Sequence, residues 1–195
     1  QSGIETVVSK TGSIQPFTMR VDKAPFTDVN VRQAFKYLID RPAMIATSLN
    51  GYATVAHDVT SPLDPDYDTS LQRQQDPELA RHLLKKAGYD NNLTITLYTS
   101  VAIQASAPPM AIVFKQQAQA VGATVNINQV SASDFFGPNI YTKVPFAQIF
   151  YNYSPYLSQV NQTFLPTSPY QETHFNDPAY TKLYYQANKT TDASL

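Results

Sequence analysis

Apolar residues in the first third of the chain recur at helical spacing. Val31, Ala34, Phe35, Leu38 and Ile39 fall at i, i+3, i+4, i+7 and i+8, which marks one buried face of a helix, with Asp28 placed to cap its start. A second helix is predicted to begin at Pro42, whose fixed φ suits a first turn. It runs through Met44, Ile45 and Leu49 to a left-handed stop at Gly51, with Asp40-Arg41 at the elbow. The third is marked at both ends. Asp76 caps it, Pro77 takes the first turn, and Leu79, Ala80, Leu83, Leu84 and Ala87 form the stripe. Lys85 and Lys86 meet the negative end of the dipole before Gly88.

The period then drops to two. Leu93, Ile95 and Leu97 alternate with Thr94, Thr96 and Tyr98, a strand with one apolar face. Met110, Val113, Phe114, Ala118 and Val121 return to helical spacing up to Gly122, and Val125-Asn126-Ile127 opens another strand. A strand, helix, strand unit of about 30 residues implies a parallel pair with a right-handed crossover. Beyond it the pattern predicts a short helix over 134–141 and a strand over 146–151. Two more helices follow, one after Tyr156 and one from Asp177-Pro178 with Leu183, Tyr184 and Ala187 on its face. The fold class is α/β, and the Pro- and Asp-rich stretch 60–75 reads as a surface excursion rather than a domain boundary.

Composition narrows the function. A 43% hydrophobic and 15% charged chain of 195 residues is that of an ordinary globular domain, and a net charge of −1 gives no reason to expect nucleic acid. Cysteine is absent, which excludes disulfides, thiolate metal sites and a cysteine nucleophile. No apolar run approaches the roughly 18 residues of a membrane span. Gln1-Ser2-Gly3 does not read as a signal peptide, which is compatible with a leader already removed.

Three blocks carry a resemblance. They are "APFTDVNVRQAFKYLIDRPAMIATSLNGY" at 24–52, "DPELARHLLKKAGYDNNLTITLYTS" at 76–100 and "HFNDPAYTKLYYQA" at 174–187. In order and spacing the chain resembles the family 5 extracellular solute-binding proteins of ABC importers, which include dipeptide, oligopeptide and nickel binders. The resemblance implies one α/β lobe, residues 1–195, of a two-lobed clamp of the type II periplasmic-binding-protein kind, a mixed sheet flanked by helices. The other lobe lies outside this sequence. It also implies a monomer outside the cytoplasmic membrane, periplasmic or extracellular and free or lipid-anchored. Its partners would be a small solute, a peptide or an oligosaccharide, and a membrane permease. The same lobe also occurs as the ligand-sensing part of transcriptional regulators, where a DNA-binding domain precedes it.

Within this frame "IFYNYSPYL" at 149–157 is the candidate site. The window 144–171 contains no acid or base other than tyrosine, and the stretch follows a strand, where open α/β sheets hold ligands. The resemblance places a tryptophan and then an aspartate in this region of many relatives, and their correspondents here are Tyr153 and Tyr156. No arginine lies between Ser100 and Pro109, where dipeptide binders carry a carboxylate clamp. A charged ligand end needs a paired charge to offset its desolvation, and these segments offer none. Tyr151, Asn152, Tyr153, Ser154 and Tyr156 are therefore expected to contact a solute that is neutral at this lobe, by stacking and hydrogen bonding. The competing expectation is that these rings pack within the lobe or against its partner lobe.

Other chemistry is weaker. His57, His82 and His174 lack metal-ligand spacing and are expected at the surface; no cofactor is expected. Asp64, Asp66 and Asp68 alternate without completing a calcium loop and read as a solvated turn. Arg32, Asp40 and Arg41 read as helix-end capping and charge pairing, or as a place where the lobe meets its transporter. No nucleophile motif, phosphate loop or dinucleotide motif is present, so no catalytic activity is expected.

Overall fold

The computed structural model describes residue 3 and residues 7–58 and 61–190; Gln1, Ser2 and Thr60 of the segments discussed above lie outside the described residues. Among the described residues, four strands form one mixed sheet in the order β1 (Phe17–Met19), β4 (Phe146–Gln148), β2 (Leu93–Thr99), β3 (Ala123–Gln129). The β2–β3 pair is parallel, Leu93 opposite Ala123 through Thr99 opposite Gln129. The helix α4 (Ala107–Ala120) connects the two strands, as the pattern requires. Strand β4 runs parallel to β2 and antiparallel to β1.

The sequence pattern does not reveal β1, because three residues between Pro16 and Arg20 are too few to show a period. The predicted strand 146–151 is a strand only to Gln148. Its continuation remains tied to the chain before β1: the Ile149 amide donates to Pro16, and Ile14 and Tyr151 exchange both backbone hydrogen bonds at 2.9 Å.

Helices α1 (Val29–Tyr37) and α3 (Pro77–Lys86) start at the aspartates expected to cap them, and α2 (Arg41–Ser48) starts one residue ahead of the predicted Pro42. Asp28, Asp40 and Asp76 accept from the amides of Asn30, Ala43 and Leu79. The left-handed turn after α2 opens one residue early, at Asn50 (φ 51°), ahead of Gly51. The short helix α5 occupies only Ala132–Phe135 of the region around the predicted 134–141, capped by Ser131. Helices α6 (Tyr156–Thr163) and α7 (Pro178–Ala187) complete the chain. Gly122 is required where it stands: it closes α4 at φ +85°, and a Cβ there would lie 2.1 Å from Asn91 Oδ1.

Three apolar clusters result. The main core buries one sheet face (Leu93, Ile95, Leu97, Val125) under α1, α3 and α4, around the rings of Phe26, Phe35, Phe114 and Phe146. A smaller cluster on the other face joins Ile103, Phe135 and Ile149 with Tyr98 and Tyr151. Helices α6 and α7 hold a third, with Val160, Leu165 and Tyr184 buried. No helix among the described residues is long and apolar enough to cross a membrane.

Candidate functional site

Because β2, β3 and β4 are parallel, their carboxyl ends share one edge of the sheet. The segment before the antiparallel β1 reaches the same edge, so four stretches meet there: Gly12 to Gln15, the loop after Thr99, the turn at Val130, and the stretch leaving Ile149. The Val130 amide donates to Thr99, and Ser106 Oγ donates to Gln15 Oε1 at 2.9 Å, which ties the loop after β2 to the chain before β1. Thr99 Oγ1 and Gln148 Oε1, at the ends of the central strands, are buried with no hydrogen-bond partner among the described residues.

The five residues expected at the site lie together in sequence but in different environments. Tyr151 is fixed at both ends, its backbone by Ile14 and its phenol by a hydrogen bond donated to Glu172. Asn152 is exposed. Tyr153 is 41% exposed; its ring lies over Gly12 and beside Ser61. Gly12 has φ +71°, and a Cβ there would come within 3.0 Å of Tyr153 Cβ, so this contact needs glycine for both reasons. Ser154 donates to Gln159 at 3.3 Å, and the Tyr156 and Tyr180 hydroxyls are paired at 3.2 Å. Asn152 and Tyr153 thus present free surface, whereas Tyr151, Ser154 and Tyr156 hold partners inside the lobe.

One functional candidate escapes a reading of the sequence. Glu172 stands one residue beyond the uncharged window and is 6% exposed. It accepts from the phenols of both Tyr151 and Tyr141, the latter at 2.6 Å. Burial pushes its carboxyl pKa up, against the pull of the two tyrosyl donors. Burial and the adjacent carboxylate likewise drive both phenols upward, so they remain neutral donors at physiological pH. Both carboxylate oxygens are occupied, so Glu172 does not offer a free charge to a ligand amine. Around it, Arg20 pairs with Asp22 and donates to the carbonyls of Thr142 and Lys143. His174 Nε2 lies 2.9 Å from the Thr142 carbonyl, and the Val21 amide donates to Thr173. The Arg20 guanidinium holds Asp22 below the usual carboxylate range.

Several sequence expectations change. His57 is buried at 7% exposure, not at the surface, and burial with Arg41 nearby pushes its pKa down. Of the other two, His82 is exposed on α3 and His174 is half-buried. Asp64 is also buried, its Oδ1 accepting from the Asp66 amide, so that turn is not solvated at its first acid. The stretch beyond 60 is tied down at its end, Gln75 donating to Leu38 and the Asp76 amide to Tyr37. Arg32 and Arg41 bind carbonyls (Phe26 and Thr27; Arg73 and Lys36) rather than acids, and the ion-pairing centre nearby is Asp58, held by Lys36 and Arg73. No group of three His, Cys, Asp or Glu side chains among the described residues is arranged to hold a metal ion.

The family model for bacterial extracellular solute-binding proteins, family 5 Middle, matches residues 1–182. The glutathione-binding protein GsiB of Pectobacterium atrosepticum is 36% identical over 118 residues, which are 59% of this chain and 22% of that protein. The crystal structure of the ABC transporter substrate-binding protein CtaP from Listeria monocytogenes superimposes with a TM-score of 0.84 at 19% identity, over 94% of this chain and 39% of that one. A nickel ABC transporter structure from Bacillus halodurans gives 0.78 at 26% identity, over 95% and 41%. The chain therefore spans well under half the length of the proteins it matches.

Proposed function

The chain belongs to the bacterial extracellular solute-binding proteins of family 5, and from that membership we propose that it is one lobe, residues 1–195, of a two-lobed clamp capturing a solute for an ABC importer. The observation that carries the reading of the site is the uncharged, hydrogen-bonding stretch at the carboxyl edge of the parallel strands, where Asn152 and Tyr153 stand free. In this lobe's share of the jaw, Asn152 and Tyr153 are the free contacts, and Tyr151, Ser154 and Tyr156, tied within the lobe, shape the stretch that carries them. Closure by hinge motion would bring the other lobe onto the solute and present a joint surface to the permease.

The solute class favoured is a peptide, held here through its backbone amides. GsiB is described as glutathione-binding, and an aromatic and amide surface without a free ion suits the neutral middle of a peptide rather than its charged ends. Tyrosine faces also stack on sugar rings, so an oligosaccharide is the alternative. The protein works as a monomer outside the cytoplasmic membrane, free or lipid-anchored. It acts by binding alone, with neither catalysis nor nucleic acid. Native mass spectrometry of the two-lobed protein as purified tests this. A retained peptide mass is the expected result. A bare protein that no peptide or sugar pool stabilises against heat would overturn it.

A further inference from the structure

Among the described residues, Glu172 is the acid hydrogen-bonded to a side chain of the stretch proposed to face the solute. Its two oxygens take the phenols of Tyr141 and Tyr151, which are 31 and 21 residues away in the chain. Tyr151 is the first residue of the stretch, and its backbone is already paired with Ile14. With the backbone held on one side and the phenol on the other, the direction in which the chain leaves Tyr151 toward Asn152 and Tyr153 is set. We propose that Glu172 is a positioning residue for the solute site, acting through Tyr151 to hold the 152–154 segment at the height where the solute meets it. This rests on the reading that the stretch faces the solute.

The small cavity at Glu172 is lined by Thr18, Tyr141, Thr142, Ala147, Gln148 and Ile149, a set drawn from β1, β4 and the turn after α5. The titratable and charged groups around it are Tyr141, Tyr151, Tyr170, His174 and the Arg20–Asp22 pair. Asp22 is taken by Arg20, and His174 Nε2 by a carbonyl, so among the described residues the tyrosines are the side-chain donors to Glu172. A buried carboxylate that accepts two phenols makes charge-assisted bonds, shorter and stronger than neutral ones.

The experiment uses the two-lobed protein and its variants Glu172→Ala, Glu172→Gln and Tyr151→Phe, with two readouts. The first is amide hydrogen exchange of the peptide covering 149–157. The second is affinity for the tightest member of a library of synthetic di- to pentapeptides. Glu172→Ala is expected to raise exchange at the Tyr151 amide and weaken peptide affinity by about tenfold, the scale of one lost charge-assisted hydrogen bond. Glu172→Gln, which retains one carbonyl acceptor and can donate to the other phenol, should restore most of both. In the Tyr151→Phe background Glu172→Ala should add nothing to the affinity loss. Unchanged exchange at 149–157, or additive losses in the double variant, would overturn the proposal. If Glu172→Ala fails to fold, the same comparison is made with Tyr151→Phe alone: wild-type exchange and affinity in that variant would overturn it, and a tenfold loss would support it. If no library peptide binds, the peptide reading fails while the exchange result still decides the positioning role.

Discussion

The body of the lobe and its α6–α7 end are held by different forces. In the body, the rings of Phe17, Phe26, Phe35, Phe114 and Phe146 contact one another at centroid distances from 4.8 to 6.1 Å beneath α1, α3 and α4. The end keeps three buried apolar residues, Val160, Leu165 and Tyr184. Polar links join it to the body: Thr173 to Val21, His174 to Thr142, and Glu172 to two tyrosines. Burial of apolar area is the larger and less directional of these forces, so the body should behave as the rigid unit and the end as a region of lower local stability. The stretch proposed to face the solute runs from one to the other, anchored at Tyr151 and exposed at Asn152 and Tyr153.

The comparison breaks first at Phe146, the ring that touches four others. Phe146→Ala should cost about 3–5 kcal/mol in chemical denaturation of the full protein, the usual range for emptying an aromatic core position. Leu165→Ala should cost only about 2 kcal/mol, at the low end for a buried leucine, and should speed hydrogen exchange across α6 and α7 while sparing β2 and α4. Equal global losses from the two variants would show that body and end are one cooperative unit.

Acidity sharpens the contrast, because the junction holds a buried acid. Glu172 has a folded pKa raised by burial, so its contribution to stability is complete below the ordinary glutamate range and is lost as pH rises through the raised value. Thermal scans across that window should show stability declining in the wild type and no such decline in Glu172→Gln. Ionisation of Glu172 in the folded protein therefore costs some stability. The smallest effect expected is at a cap: Asp76→Ala should cost about 1 kcal/mol, confined to α3.

How much of this the sequence shows depends on the range of the interaction. The caps at Asp28, Asp40 and Asp76, the stripe of α3 and the β2–α4–β3 crossover rest on neighbours within a few residues, and all are legible. β1 is not, because its partner β4 lies more than a hundred residues away and three residues carry no period. Arg41 shows the same limit in part: a charge near a helix end suggests an acid partner, yet it donates to the carbonyl of Arg73, 32 residues on, which only the folded chain brings near. Glu172 is the sharpest case. Between Gln171 and Thr173 nothing local separates it from a solvated glutamate, and its role comes from two tyrosines on distant segments. Of the site stretch, position and lack of charge were legible; which rings are free and which are tied was not.

The central claim, that the uncharged stretch is this lobe's half of a jaw, is tested most directly by calorimetric titration of the two-lobed protein and its Tyr153→Ala variant with the tightest library peptide. Tyr153 is 41% exposed and packs over Gly12 by its ring, so melting should fall only slightly. Affinity should fall by about tenfold, the scale of one lost aromatic contact. Equal affinity in the two proteins, with equal stability, would remove the stretch from the binding surface and contradict the account.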